Sequence, residues 1–169
     1  MTIRIRPETA ADCETIRDLT TRAFASAAHS SGTEAEIVES LRRRGQLAYS
    51  AVAEAATGVV GHVALSPVSM SDSAPEWFGL GPLSVVPEYQ GQGIGSRLVR
   101  EALAWLEKRK AAGCVLVGEP EYYARFGFRA YPELMLPGVP PQYLLAIPFG
   151  GAIPAGAVRF DDSFGVVPE

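Results

Sequence analysis

A chain of 169 residues that is 47% hydrophobic favours one domain with a sizeable core. Its formal net charge of −4 argues against a general nucleic-acid binder, and no apolar run approaches the length of a membrane span. Two widely separated cysteines, Cys13 and Cys114, and the lack of a signal-peptide pattern read as free thiols in a cytoplasmic protein, while His29 and His62 lie outside any Cys/His cluster, so no metal is expected.

Residues 2–6 alternate, with Ile3 and Ile5 on one face, and read as a strand that Pro7 ends. Thr9 with Asp12 makes a shortened capping box before a helix whose apolar stripe is Cys13, Ile16, Leu19, Ala23 and Phe24. Residues 29–32 are small and polar and form a loop. Thr33 and Glu36 make a T-x-x-E box that opens a second helix, with Ile37, Val38 and Leu41 facing inward. Arg42, Arg43 and Arg44 suit the C-terminal dipole of that helix, and Gly45 stops it. This arginine run reads as a solvated helix end in preference to a phosphate patch.

Residues 47–54 and 59–68 form a hairpin across the turn at 55–58, and 71–75 form a loop. The next strand, 77–86, is interrupted by Gly81 and Pro82, which suit a bulge or an edge. A long helix over 96–112 buries Leu98, Val99, Ala102, Leu103 and Leu106, and Gly113 closes it. Residues 114–117 are a short apolar strand, and Pro120 opens a helix running to about Arg125. The last pair of strands, 128–131 and 143–147, flanks a proline-rich loop over 132–142. Beyond Gly150 the signals thin to one strand at 157–160 and a loose tail.

The most informative stretch lies between Leu83 and Arg100. Leu83, Ser84, Val85 and Val86 end a strand at Pro87, and Gly91, Gly93 and Gly95 then recur at every second position before the long helix. Missing side chains let the backbone turn tightly and approach a ligand, and exposed N–H groups at a helix start favour phosphate. Each charge-assisted N–H bond is worth roughly 1.5–3 kcal/mol, so a few of them hold a pyrophosphate. The pattern is not a P-loop, because no Gly-Lys-Ser/Thr follows, and Ser96 stands where G-x-G-x-x-G needs its third glycine. An ordinary strand-to-helix turn is the competing reading.

What remains is Q-x-x-G-x-G at Gln90, Gly93 and Gly95, which resembles the acetyl-CoA signature R/Q-x-x-G-x-G/A of the GNAT superfamily of N-acetyltransferases. A second segment, Glu-Tyr-Tyr-Ala-Arg-Phe-Gly-Phe over 121–128, resembles the Y-x-x-x-G-F ending of such domains, with Tyr123, Gly127 and Phe128 in the matching places. Together with the preceding Gly-Glu-Pro it looks like the bacterial branch usually called YhbS-like. The resemblance covers residues 3–149 in outline, leaving 150–169 as a C-terminal extension of a single acetyltransferase domain spanning 1–169. It implies an α/β fold with a twisted, mostly antiparallel mixed sheet, a splayed central strand pair and about four helices.

Acetyl transfer from a thioester to an amine needs a grip on CoA, a polariser for the carbonyl, an acid for the thiolate and a route for the amine's proton. The resemblance implies that acetyl-CoA, the co-substrate, lies along Leu83, Ser84 and Val85, with its pyrophosphate on the turn of Gln90, Gly91, Gln92, Gly93, Ile94, Gly95 and Ser96. Arg97 either meets a phosphate or stands exposed on its helix. The Val85 N–H is the implied polariser, and Tyr123 the implied acid. Simple packing is the alternative for each, and for Tyr123 an aromatic cluster with Tyr122, Phe126 and Phe128. The base stays open among Glu119, His62 and an ordered water chain.

The implied reaction is direct attack by an amine of a small-molecule or peptide acceptor, without nucleic acid, membrane or metal. In this fold the acceptor enters near residues 25–32 and 132–142, and homodimers are common among similar proteins. Two other readings stand beside it. One is a non-catalytic acyl-CoA sensor or partner protein of the same fold, and the other keeps the fold with a longer acyl donor or an oxygen acceptor.

Overall fold

The computed structural model describes residues 2–25, 32–70 and 76–164. The loops expected over 25–32 and 71–75, and the end of the C-terminal extension, lie for the most part outside the described residues. The chain forms two compact units, Met1–Leu65 with Gly81–Ala102, and Ser66–Leu80 with Leu103–Glu169.

In the first unit, β1 (Arg4–Pro7) pairs antiparallel with β2 (Tyr49–Ala55) from Arg4↔Glu54 to Pro7↔Ala51. β2 pairs antiparallel with β3 (Gly58–Met70) from Tyr49↔Leu65 to Ala55↔Gly58, so a tight turn joins the expected hairpin. Helices α1 (Cys13–Phe24) and α2 (Glu34–Arg43) bury Ile16 and Leu19, and Ile37, Val38 and Leu41. Ile16, Val38 and Val52 meet in one core cluster.

A polar clamp sets the entry to α1. The Arg6 guanidinium donates to both Asp12 oxygens (2.8 and 3.1 Å) and to Glu54 (3.0 Å), while Asp12 also accepts the Thr9 N–H at 2.7 Å. The expected Thr9–Asp12 cap is therefore present, on a one-turn 3-10 helix over Ala10–Asp12. The Arg6 hydrogen bond, aided by Thr9, holds the Asp12 carboxyl well below the usual carboxylate range despite burial.

α3 spans Ile94–Lys108, starting two residues before the expected 96 and stopping short of 112. Ile94 is buried, and packing of that face draws Gly95 into the first turn against a glycine cost of roughly 1 kcal/mol. At the other end Lys110 adopts φ 61° and Ala111 donates back to Leu106 O (3.0 Å), so the helix closes there and not at Gly113.

In the second unit, the start of β4 (Trp77–Val85) pairs parallel with β5 (Gly113–Val117) at three positions only: Trp77↔Gly113, Phe78↔Cys114 and Gly79↔Val115. A short helix α4 (Pro120–Tyr123) follows and tightens to a 3-10 turn over Ala124–Phe126 that Gly127 ends at φ 101°. β6 (Arg129–Ala130) and β8 (Leu144–Pro148) are the expected last pair, and β8 also runs antiparallel to β5 over five positions.

Residues 132–142 are not loop throughout: β7 (Leu134–Met135) pairs parallel with β9 (Gly156–Arg159), which also pairs antiparallel with the end of β3 at Ser69↔Arg159 and Met70↔Val158. Nor is the extension loose where it is described. Val158 joins Trp77, Val115, Leu134, Leu144 and Ala146 in the core, with Phe160 packed against them. Two-residue strands carry too little periodicity to be read from sequence, and pairing supplies what propensity lacks.

Removing buried apolar volume from β9 tests this. Val158→Ala, at a residue 2% exposed, is expected to lower unfolding free energy by about 2 kcal/mol in urea. Arg159→Ala, which loses an exposed pair with Asp162, is expected to change it by no more than about 0.5 kcal/mol.

Candidate active site

Strand alternation turns the main chain of β4 in two directions. The Val86 N–H donates to Val60 O at 3.0 Å, so Val86 and Ser84 direct their main-chain groups to β3 while Val85 and Leu83 direct theirs away from it. The β5 register includes neither Leu83 nor Val85. The Gln90 side chain reaches back and donates to Val85 O at 2.9 Å, pinning the strand end to the turn.

The turn itself begins with a 3-10 helix over Pro87–Tyr89. Tyr89 and Gln90 donate to Val86 O and Pro87 O at 2.9 and 3.3 Å, so the Gln90 amide serves the turn itself. Gly91 and Gly93 follow at φ 76° and 85°, a left-handed region that side chains disfavour, and a Cβ on Gly93 would meet nothing within 4 Å. α3 starts at once. Its Arg97 N–H donates to Gly93 O at 3.1 Å, so the N–H groups of Ile94 and Gly95 stand ahead of that bond in the first turn. Gly91, Gln92 and Gly93 are exposed, Gly95 and Ser96 half-buried. Arg97 is exposed.

In the other unit, Tyr123 is the last residue of α4. Its ring lies edge-on to Tyr122 and Phe128, with centroids 4.9 and 5.9 Å apart, and tilted against Phe126 at 6.1 Å. A Cβ on Gly118 would stand 2.6 Å from Tyr123 Cε2, so glycine there lets the ring approach. Burial, with smaller contributions from Tyr122 and Cys114, pushes the Tyr123 phenol up, so it is protonated at neutral pH. Among the described residues its hydroxyl makes no hydrogen bond. Tyr122 is held differently, under the Arg125 guanidinium at 4.5 Å. Glu119 precedes α4, its carbonyl accepting from Tyr122 and Tyr123 N–H and its side chain exposed.

His62 lies on β3 in the first unit with no exposed surface. Its Nε2 is 2.8 Å from Ser50 Oγ, which donates to Glu8 Oε1 at 2.5 Å, and Arg42 donates twice to Glu8 at 2.8 and 3.2 Å. Burial pulls His62 down to about 4; Glu8 opposes that shift and Arg42 adds to it. Burial alone would raise Glu8, but the hydrogen bonds from Arg42 and Ser50 carry it below its ordinary value.

The chain as a whole is similar to known proteins. The acetyltransferase (GNAT) domain family matches residues 46–130. The uncharacterized N-acetyltransferase YhbS of Escherichia coli K12 is 40% identical over 125 residues, covering 73% of this chain and 72% of that protein. The chain belongs to the GNAT family of acetyltransferases. Membership makes it an acetyl-CoA-dependent acyltransferase. A GNAT acetyltransferase from Brucella melitensis, solved with acetyl-CoA, is 42% identical with a TM-score of 0.86 over 96% of this chain and 98% of that one. E. coli YhbS, solved with CoA, is 32% identical with a TM-score of 0.85, covering 97% and 92%.

Leu83, Ser84, Val85, the residues from Gln90 to Ser96 and His62 lie in the first unit, and Tyr123 and Glu119 in the second. Glu8, Ser50 and Arg42 were missed by sequence reasoning. They are polar residues from the segment after β1, from β2 and from α2, and only β1–β2 pairing and α2 packing bring them to His62. Among the described residues no group of three or more His, Cys, Asp or Glu is arranged to hold a metal, and no helix is long and apolar enough to cross a membrane.

The depressed His62 pKa is linked to stability. The unfolded chain takes up a proton as pH falls below about 6.5, and the folded chain does not until about 4, so stability is full above the upper value and falls between the two. The loss is expected to be on the order of 3 kcal/mol. Urea midpoints at pH 7.5, 5.5 and 4.5 should show that slope in the parent and a flatter one in His62→Gln.

Proposed function

We propose that the chain acts as one N-acetyltransferase domain, transferring the acetyl group of acetyl-CoA to an amine of a small-molecule or peptide acceptor by direct attack. The observation that carries this reading is the pair of left-handed glycines, Gly91 and Gly93, immediately ahead of the first turn of α3. Gln90, Gly91, Gln92, Gly93, Ile94, Gly95 and Ser96 form the pyrophosphate turn, with amides of its later members supplying donors and the Gln90 side chain steadying Val85. Leu83, Ser84 and Val85 run beside the pantetheine arm. The Val85 N–H polarises the thioester carbonyl as negative charge develops on its oxygen. Tyr123 gives its proton to the departing thiolate. The solved relatives with acetyl-CoA and CoA support the donor assignment.

Direct attack makes the acid separable from the grip. Tyr123→Phe keeps the ring and removes the proton, and is expected to lower turnover about 10²–10⁴-fold with acetyl-CoA affinity little changed, wherever the chemical step limits the rate. Unchanged turnover under that condition overturns the assignment. Gly93→Val forces a β-branched residue into φ 85° and sets a side chain over the turn. It is expected to weaken acetyl-CoA binding by at least tenfold in calorimetry on folded protein. The acceptor is sought by mass spectrometry after incubating a panel of amines, amino acids and peptides with acetyl-CoA.

A further inference from the structure

Among the described residues, four buried side-chain polar atoms lack a hydrogen-bond partner: Thr20 Oγ1, His62 Nδ1, Ser66 Oγ and Ser84 Oγ. Two of them belong together. β3 and β4 are bonded neighbours joined by a short connection, which makes them antiparallel, and the Val86 N–H to Val60 O bond sets their register. Two residues along each strand, Ser84 stands opposite His62 on one face of the sheet, where facing Cβ atoms lie about 5 Å apart.

Behind His62 the polarity is fixed. The Glu8 carboxylate accepts only, so the Ser50 hydroxyl gives its single proton to it, and the His62 Nε2–H must donate to Ser50 Oγ. The ring is held as the Nε2–H tautomer, with a bare lone pair on Nδ1. Arg42 locks the far end by its two bonds to Glu8. The groups that face this imidazole are Glu8, from the segment after β1, and Arg42, from α2, with Cys13 and Glu39 beside Arg42.

We propose that Ser84 and His62 together take the proton of the acceptor amine, with Ser50, Glu8 and Arg42 as positioning residues that keep the imidazole in its accepting tautomer. The proposal rests on the acetyl-transfer reading above. As the amine nitrogen bonds to the acetyl carbon, its proton passes to Ser84 Oγ while the Ser84 proton passes to His62 Nδ1, directly or through one water. The C–S bond breaks, and the thiolate takes the Tyr123 proton. The imidazolium is stabilised through Ser50 by the Glu8 charge, in the way a triad carboxylate supports its histidine without itself being protonated. After the amide leaves, the imidazolium returns its proton to solvent through Ser84 and Tyr123 recovers one from solvent. Burial keeps the imidazole neutral at rest, so its Nδ1 lone pair is available, and it favours return of the proton to solvent after the transfer.

The test is the pH profile of kcat/KM for the fastest primary amine of the screen, measured from about pH 6 to 10. His62→Gln, Ser84→Ala and Glu8→Gln are expected to lose about 10²-fold near neutrality for the first two and less for the third, with the loss shrinking at high pH as hydroxide takes the proton. A loss by the same factor at every pH, or no loss, overturns the relay while leaving acetyl transfer standing. A parent that binds acetyl-CoA and acetylates none of the amines overturns both. A measurement on the parent alone guards against variants that fail to fold: nitrogen-15 NMR is expected to show His62 protonated on Nε2 and bare on Nδ1, and an Nδ1–H tautomer overturns the proposal.

Discussion

Backbone hydrogen bonding along β4 is the constraint on which the rest depends. A buried strand must satisfy its main chain on both sides, and β4 finds β5 only as far as Gly79. Beyond that, Leu83 and Val85 turn their main-chain groups away from β3 and outside the β5 register. An extended ligand arm is well suited to such an edge, because strand addition satisfies N–H and C=O groups whatever the side chains are. The Gln90 side chain takes the Val85 carbonyl, so the strand end is held without being closed.

The turn and the strand solve one problem between them. A pyrophosphate needs several converging N–H donors, and a helix N-terminus supplies them only if the chain arrives without a side chain in the way. Gly91 and Gly93 provide the left-handed geometry, and buried Ile94 anchors the helix directly behind them. Around this turn the first unit is tied by charge as well as by packing. Arg6 joins β1 to Asp12 and Glu54, and Arg42 joins α2 to Glu8. Removing one partner from either half-buried cluster leaves the other charge uncompensated.

Aromatic packing gives the two tyrosines of α4 in the second unit different surroundings. Tyr123 is enclosed by Phe126, Phe128 and the bare face of Gly118, which orients the phenol and raises its pKa through burial. A phenol held in its protonated form and without a hydrogen bond among the described residues is suited to donation. Tyr122, one residue earlier, is committed to Arg125, which separates two adjacent tyrosines by environment.

Local patterns decided much of this protein before any tertiary structure was needed. Helical spacing in α1 to α3, the hairpin, the turn at Gly91 and Gly93 and the two family motifs all lie within short windows, where propensity and backbone sterics act directly. Only the tertiary structure decided what long-range pairing controls. It drew Gly95 into α3, closed that helix on Lys110, made β7 from a proline-rich segment and seated Val158 of β9 in the core. It also turned Arg42 from a solvated helix end into a partner of Glu8, and gave His62 its neighbours Ser50 and, by register, Ser84. The physical reason is the same throughout: a hydrogen bond or a buried contact between residues tens of positions apart leaves no periodic trace in either segment, and its energy is settled only when both are brought together.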